Sequence, residues 1–170
     1  DKKLVAKYFF VRGELKRTEI FYKNNNLMVV NADDESKIYF NNGQLAIDFW
    51  DHETEGTTIY HENSKPLAVY KTNSNNAQIT EIYNEKGKLL YSGEDDKVDS
   101  KSKKQEFFYS TSELMYRTNK STKTIEIFYK NSKPFMKQED NKVTVYYKNG
   151  KPLYKLDKDL KVYNEDGKEI

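Results

Sequence analysis

Cysteine is absent from this chain, and proline, tryptophan and glycine are scarce, with three, one and seven residues. The absence of cysteine excludes disulfide bonds and thiolate metal sites, although it fits an oxidising and a reducing compartment equally well. Long apolar runs are also absent, since no stretch approaches the roughly 20 residues that a membrane-spanning helix needs. The sequence therefore predicts no transmembrane segment.

Arginine is the scarcer basic residue, and it occurs only at Arg12, Arg17 and Arg117. The net charge is +2, and lysines alternate with acidic residues along most of the chain. A protein that binds nucleic acid usually gathers its basic residues on one face. We therefore expect no nucleic-acid partner.

Aromatic residues are abundant, with 14 tyrosines and 9 phenylalanines. Charged residues make up 33% of the sequence, which is above the usual share of about 25%. This composition is close to that of disordered chains, but the balanced charge and the large rings oppose disorder. We expect a folded chain with a thin core and a well-solvated surface.

One β-hairpin can be read directly from residues 142–155, KVTVYYKNGKPLYK. Val143 and Val145 alternate with Thr144, as in a strand that carries side chains on both faces. Asn149 and Gly150 accept the positive φ of a tight turn, and an apolar return strand follows them. This stretch predicts a strand, a turn and a second strand.

The same order of aromatic, turn-forming and apolar residues recurs nine times. The nine turn positions are Gly13, Asn25, Gly43, Ser64, Gly87, Ser112, Ser132, Gly150 and Gly167. An aromatic residue stands three or four places earlier in each copy: Phe10, Tyr22, Phe40, Tyr60, Tyr83, Tyr109, Tyr129, Tyr147 and Tyr163. An apolar residue follows each turn: Leu15, Leu27, Leu45, Leu67, Leu89, Leu114, Phe135, Leu153 and Ile170. Polar clusters between the copies supply second turns, and no window shows sustained helical periodicity.

These repeats predict an all-β fold, an elongated antiparallel β-meander of about nine stacked hairpin repeats in a curved or single-layer sheet. The polar segment 93–104 interrupts the pattern, and we interpret it as a solvated loop. It could divide the chain into sub-arrays 1–92 and 105–170. Because the repeat order resumes unchanged after the loop, we predict a single domain over residues 1–170.

Three stretches, FYKNSKPF, YYKNGKPLY and IYNEKGKLLYSGE, resemble the MORN-variant short repeat. The resemblance covers nearly the whole chain and implies curved antiparallel sheets of stacked hairpins. It also implies a bacterial protein that is either antitoxin-like or exported, and it offers no catalytic motif. The chain departs from the pattern with Asn25, Ser64, Ser112 and Ser132 at glycine positions. It also lacks the glycine-rich second half of standard units, which weakens any expectation of lipid-headgroup binding.

No motif for catalysis, for a cofactor or for a metal is found. His52 and His61 lie in or beside turns, with carboxylates nearby, and we interpret them as solvated turn residues rather than metal ligands. Acidic clusters at 33–35, 94–96 and 157–159 lack the spaced ligands of a defined calcium loop. We therefore expect a protein that is not an enzyme and that binds neither a cofactor nor a metal.

The aromatic residues are the candidates for partner binding. The residues chosen are Trp50, Tyr22, Phe40, Tyr109, Tyr129 and Tyr147. One interpretation is structural, with cross-strand rings that hold the sheet together under lysine stems. The functional interpretation is a Tyr/Phe-rich sheet face that binds a protein, with a glycan or a lipid surface as other partners. The single tryptophan counts against glycan binding.

Two functions remain open. The first is an exported, virulence-associated repeat protein whose sheet face binds a partner on a host cell or within the envelope. The second is a cytoplasmic antitoxin-like or immunity protein that binds a cognate toxin. The chain opens with Asp1-Lys2-Lys3, and from this we expect a mature protein at the cell surface or in the periplasm, with the cytoplasm as the alternative.

Overall fold

The computed structural model describes residues 5–51, 56–94 and 104–170, without the side chains of Trp50 and Asp51. All regular structure in these ranges is antiparallel β-sheet, and they contain no helix. The chain divides into two compact units, Asp1–Val98 and Asp99–Ile170. The prediction of an all-β meander is confirmed, whereas a single domain over residues 1–170 stays a prediction.

Unit 1 contains a nine-stranded sheet in which each strand pairs with the next one along the chain. The strands are β1 (Ala6–Val11), β2 (Glu14–Phe21), β3 (Leu27–Ala32), β4 (Ser36–Tyr39), β5 (Leu45–Asp51), β6 (Gly56–Tyr60), β7 (Pro66–Thr72), β8 (Gln78–Tyr83) and β9 (Leu89–Glu94). Sequential antiparallel pairing needs only short connections, which the turn residues of the repeats supply.

Unit 2 contains a seven-stranded sheet with the same meander order. The strands are β10 (Lys104–Phe108), β11 (Leu114–Asn119), β12 (Thr124–Phe128), β13 (Pro134–Glu139), β14 (Lys142–Tyr146), β15 (Pro152–Leu156) and β16 (Leu160–Val162). The hairpin read from residues 142–155 is thus formed by β14 and β15.

All nine predicted turn residues adopt the left-handed conformation, with φ between 62° and 88°. Asn25, Ser64, Ser112 and Ser132 adopt it without being glycine. Left-handed backbone is rare for residues with a side chain, so the turn geometry itself has to favour it. The repeated loop therefore determines the backbone at these positions, and glycine is not required in every copy.

One turn was placed at the wrong end of the strands by the repeat alignment. Gly13 lies with Arg12 in a two-residue turn between β1 and β2, and both residues have positive φ. In a meander, the β1–β2 turn and the β2–β3 turn lie at opposite ends of β2. The Gly13 turn is therefore not equivalent to the turn at Asn25, which explains its short spacing from that turn.

The core of unit 1 includes one continuous row of side chains that crosses the sheet from strand to strand. Directly paired residues share a face of an antiparallel sheet, so the register defines the row. Its members are Ala6, Ile20, Val29, Ile38, Ile47, Ile59, Ala68, Ile82 and Tyr91. The seven inner members, from Ile20 to Ile82, are at most 7% exposed. The row ties every strand of the unit to its neighbours through apolar contacts.

Unit 2 has an equivalent row on its own sheet. Its members are Phe107, Tyr116, Ile127, Met136, Val145, Tyr154 and Val162. The six members from Tyr116 to Val162 are all buried. β-Branched and aromatic residues dominate both rows, as expected where side chains stand on a pleated surface.

A register shift follows the loop in each repeated hairpin and leaves one residue of the return strand without a direct partner. The extra residues are Met28, Ala46, Leu67, Leu90, Met115, Phe135 and Leu153. All except Leu90 are buried. The apolar residue after the turn was correctly predicted at Leu67, Phe135 and Leu153. At Leu27, Leu45 and Leu114 the fully buried residue is instead the next one along.

The three prolines occupy one position in the repeat. Pro66, Pro134 and Pro152 each begin a return strand, and each is paired with an aromatic residue of the preceding strand. Proline cannot donate a ladder hydrogen bond, so the first residue of a strand is where a sheet tolerates it. The proline positions therefore mark where the loop ends and the sheet resumes.

Candidate functional site

The predicted partner-binding residues are mostly interior residues in the structure. Tyr22, Phe40, Tyr109 and Tyr147 are buried at 5–8% exposure. Tyr129 is half-buried, and the side chain of Trp50 lies outside the described residues. The burial of four of these rings fits the structural interpretation of the aromatic pattern. The partner-binding role of the six residues stays a prediction.

Five of these residues share one place in the fold: each is the first residue of a hairpin loop. In the loop at residues 22–26, Tyr22 N donates to Asn26 O at 2.8 Å, and Asn25 N donates back to Tyr22 O at 3.0 Å. The same two bonds close the loops that begin at Phe40, Tyr109 and Tyr129. The first loop residue thus has a backbone position fixed on both sides, and its side chain direction is fixed with it.

From this position, each tyrosine hydroxyl donates to a backbone carbonyl of the next equivalent hairpin. The distances are 2.6 Å for Tyr22 to Tyr39, 2.6 Å for Tyr109 to Phe128, 2.8 Å for Tyr129 to Tyr146 and 2.6 Å for Tyr147 to Tyr163. A buried tyrosine needs such a partner for its hydroxyl. We call this series of first loop residues the ring ladder. The ring ladder thus adds a second link between successive hairpins, which are otherwise joined only by the pairing of their neighbouring strands.

His61, rather than Tyr60, continues the ring ladder in unit 1. His61 is 6% exposed, so the prediction of a solvated turn residue is wrong. Its Nε2 lies 3.2 Å from Tyr83 O, the carbonyl that corresponds to the acceptors of the tyrosines. Because a carbonyl only accepts, Nε2 carries the proton in this contact. The loop at residues 61–65 is closed in the same way as the loop at 22–26.

Asparagine ends the ring ladder in both units. Asn84 and Asn164 are the first residues of the last loops, in the related stretches YNEKGK and YNEDGK. Asn84 Oδ1 accepts from Lys86 N at 3.0 Å and from Lys88 N at 2.9 Å. Asn164 Oδ1 accepts two equivalent backbone bonds within its own loop. The asparagine thus stabilises its own loop, and no further hairpin of the unit follows among the described residues.

A second series of bonds joins the tips of successive loops. Asn63 Nδ2 donates to Glu85 O at 2.8 Å, and Asn149 Nδ2 donates to Glu165 O at 3.1 Å. The carbonyl oxygen of each side chain accepts from its own loop, for example from Lys151 N at 2.8 Å. Each of these asparagines therefore satisfies its own turn and the next turn together, which explains why asparagine recurs at the third loop position.

Lysines stack on the rings of unit 2. Lys130 Nζ lies 5.6 Å from the centre of the Tyr109 ring, and Lys148 Nζ lies 5.9 Å from that of Tyr129. Tyr147 instead has Glu165 nearby, and its pKa is raised by burial and by that negative charge. These lysine side chains reach over the rings, which fits the structural interpretation. They leave the rings little surface for a partner.

Charged residues of unit 1 pair with one another across neighbouring strands. Arg17 and Lys37 both bind Glu35, and Lys37 Nζ also lies 3.5 Å from Asp48 Oδ2. Burial would raise the pKa of Glu35, but the bonds from Lys37 and Arg17 lower it below its ordinary value. These groups neutralise each other and form part of the sheet, so we assign them no catalytic role.

The environment of Glu81 predicts that the stability of the folded protein depends on pH. Lys71 Nζ lies 2.8 Å from Glu81, and Tyr83 Oη donates to it at 2.7 Å. Burial would raise the pKa of Glu81, but these two bonds lower it below the ordinary 4.5. The ionised form therefore stabilises the folded state at neutral pH, and this contribution is lost as the pH falls below 4.5 through the native pKa.

We expect Glu81→Gln to destabilise the protein at pH 7 and to converge with the wild type in acid. The measurement is urea unfolding of both proteins at several pH values between neutral and acid. Asp34→Asn, at an exposed turn residue, is the control and should run parallel to the wild type at every pH. A constant difference between Glu81→Gln and the wild type would contradict the role given to the ionised carboxylate.

Within the part of the chain that the structure describes, no three His, Asp or Glu side chains form a group that could hold a metal ion. In the cluster 33–35, Asp33 binds Lys16 at 3.1 Å and Glu35 binds Arg17 and Lys37. His52, Asp95 and Asp96 lie outside the described residues. The expectation that the cluster 94–96 binds no calcium therefore stays a prediction.

Exposed apolar side chains concentrate on the first hairpin, which the sequence reasoning passed over. The members are Val5, Tyr8, Phe9, Phe10, Val11 and Leu15, with exposures from 42% to 63%. We call residues 5–15 the edge hairpin, because β1 is the first strand of its sheet. The signal was present in the run YFFV, which is apolar at successive positions. Successive side chains of a strand point to opposite faces of the sheet, so this run places apolar residues on both faces of the edge strand.

No protein-family model matches the chain, and no curated protein matches it either. The MORN-variant resemblance therefore stays a prediction that rests on the quoted motifs. Across residues 5–51, 56–94 and 104–170, no helix has the length and apolarity needed to cross a membrane.

Proposed function

We propose that this chain is a non-enzymatic repeat protein that binds another protein through the edge hairpin. The observation that carries the proposal is the group of six exposed apolar residues at positions 5–15. Soluble proteins rarely expose several apolar residues side by side, and where they do, the exposed group commonly marks an interaction site. Among the residues that the structure describes, the other large exposed apolar side chains are scattered: Leu89, Leu90, Phe108, Leu156, Leu160 and Ile170.

The chemistry of the edge hairpin favours a protein partner. Tyr8, Phe9 and Phe10 are aromatic residues of the kind that protein interfaces concentrate at their centres. Charged residues of both signs lie beside them, since Lys16 pairs with Glu14 and Asp33 while Arg17 pairs with Glu19 and Glu35, which gives the apolar group a polar rim. Repeated tryptophans, which would favour a glycan, are absent from the sequence.

The scaffold supports a binding function rather than a reaction. The tyrosine hydroxyls of the ring ladder donate hydrogen bonds to backbone carbonyls. Carboxylates of unit 1 form ion pairs with basic side chains. Polar groups that are bonded within the sheet in this way hold a binding surface in place and do not position a reacting atom. Export and an antitoxin-like role in the cytoplasm are both settings for such a binding protein, and both stay predictions.

The test is capture of a partner by the tagged protein from the cells that make it. We expect Tyr8→Ser/Phe10→Ser to recover at least tenfold less partner than the wild type. Leu156→Ser/Leu160→Ser, which removes two exposed apolar residues of unit 2, is the matched control and should recover the wild-type amount. Equal recovery by all three proteins, with unchanged circular dichroism, would contradict the role of the edge hairpin.

A further inference from the structure

The outer edge of β1 presents backbone groups that pair with none of the described strands. Phe21 N donates to Val5 O at 2.9 Å, so the Val5 carbonyl points at β2. Backbone groups along a strand in an antiparallel pair alternate between the two sides of the strand. The N–H and C=O groups of Ala6, Tyr8 and Phe10 therefore point away from β2. They form a template for one more strand.

The usual protection of a sheet edge is weak here. Edge strands are commonly blunted by charges, by proline or by bulges on the edge. β1 contains one charged residue, Lys7, and no proline. The register shift between Phe9 and Phe10 leaves the extra residue, Lys16, on β2 rather than on β1. The edge is therefore open for pairing.

We propose that the outer edge of β1 pairs antiparallel with β1 of a second copy of this chain, in a register centred on Tyr8. This inference rests on the proposed function and identifies the partner of the edge hairpin. In this register, Tyr8 exchanges both backbone hydrogen bonds with Tyr8 of the second copy. Ala6 pairs with Phe10 of the second copy, and the two nine-stranded sheets become continuous.

Three antiparallel alignments pair at least two of the three outward-pointing residues with one another, and they are centred on Lys7, Tyr8 and Phe9. Centring on Lys7 places two lysines directly opposite each other, which destabilises the pair. Centring on Phe9 pairs Tyr8 with Phe10 but places Ala6 against the turn residue Arg12. Only the register centred on Tyr8 pairs all three outward-pointing residues without opposing two like charges.

Side chains complement each other in that register, which favours a second copy over an unrelated strand. Lys7 stands opposite Phe9 of the second copy, and this contact occurs twice by symmetry. Lys7 Nζ already lies 5.1 Å from the centre of the Phe21 ring, so a further ring extends an existing cation–aromatic contact. Ala6, the smallest residue of the strand, stands opposite the large Phe10. Size and charge are thus matched between two identical strands.

Cysteine cross-linking tests the register, because the chain has no cysteine of its own. A hydrogen-bonded antiparallel pair has Cα atoms about 5.5 Å apart, which a disulfide can bridge. We expect Tyr8→Cys to give a disulfide-linked dimer under mild oxidation. Phe9→Cys is the matched control and should remain unlinked, since the register offsets the two copies of residue 9 by about 7 Å along the strand. A cross-linked dimer from Phe9→Cys, with none from Tyr8→Cys, would overturn the proposed register.

Light scattering coupled to size-exclusion chromatography tests the association itself. We expect twice the chain mass for the wild type and for Leu89→Lys, a control variant at another exposed apolar residue, on β9. Tyr8→Lys should give the mass of one chain with unchanged circular dichroism. A wild type with the mass of one chain would overturn the inference. The proposed function would still stand if the wild type captured a different protein and Tyr8→Ser/Phe10→Ser failed to capture it. In that case only the pairing with a second copy would be overturned.

Discussion

Gly56→Ala is expected to destabilise unit 1 by about 3 kcal/mol. A Cβ atom at Gly56 would lie 1.9 Å from Tyr70 O and 2.9 Å from Tyr70 C. Both are backbone atoms of β7, the strand that pairs with β6. Neither atom can move without separating the two strands, so the substitution forces the pair apart. Urea unfolding measures the loss, and hydrogen exchange of peptides from β6 and β7 locates it.

Gly93→Ala is the control for this prediction. A Cβ atom at Gly93 would lie 2.2 Å from Tyr91 Oη, a distance that is also too short. Here the obstacle is the end of a side chain that can rotate, so we expect a loss of about 0.5 kcal/mol or less. Equal losses for the two variants would show that the close approach of β6 and β7 is not what requires glycine at position 56.

The second large effect is expected for Tyr147→Ala, with a loss of about 3–5 kcal/mol from the stability of unit 2. Tyr147 is 7% exposed, and its hydroxyl donates to Tyr163 O at 2.6 Å. Truncation removes the ring from the interior and leaves the carbonyl of the following hairpin without this donor. We expect faster hydrogen exchange in β14, β15 and β16, and unchanged exchange in β1 to β9.

Phe108→Ala is the matched truncation for Tyr147→Ala. Phe108 also belongs to unit 2 but is 51% exposed at the end of β10. We expect it to cost less than about 1 kcal/mol, because about half of the residue stays in contact with water in the folded protein. A cost for Phe108→Ala as large as that of Tyr147→Ala would mean that the ladder position gives the ring no special role.

Turn positions were the feature most accessible to sequence reasoning. The turns at Asn25, Ser64 and Gly150 were predicted because short polar residues and glycine recur there after an aromatic residue, and all three residues have a left-handed backbone. The second turns, such as that between β7 and β8, were predicted for the same reason. Turn chemistry is local, so a single sequence records it directly.

The residues that pack after each turn could not be located in the same way. Strict alternation assigns one residue to each pairing step, whereas the register shift inserts an extra one. Met28, Ala46 and Met115 therefore became buried one place beyond the predicted leucines. Alanine and methionine also carry a weaker signal than leucine, so composition did not correct the register.

The ring ladder was visible only in part. Tyr60, Tyr83 and Tyr163 were aligned with the ladder because they are aromatic, although the loop geometry assigns the position to His61, Asn84 and Asn164. Whether a ring faces a partner or a backbone carbonyl depends on the neighbouring hairpin, which no local pattern records. The paired stretches YNEKGK and YNEDGK do mark the two loops where the ladder ends.

The most direct test of the ring ladder compares Tyr147→Phe with Tyr146→Phe by chemical denaturation. Both variants lose one hydroxyl and keep the ring, but of the two hydroxyls it is that of Tyr147 that bonds to the next hairpin, at Tyr163 O. We predict a loss of about 1 kcal/mol for Tyr147→Phe, the usual contribution of a buried hydrogen bond, and no loss for Tyr146→Phe. Equal stability of the two variants would contradict the claim that these hydroxyls hold successive hairpins together.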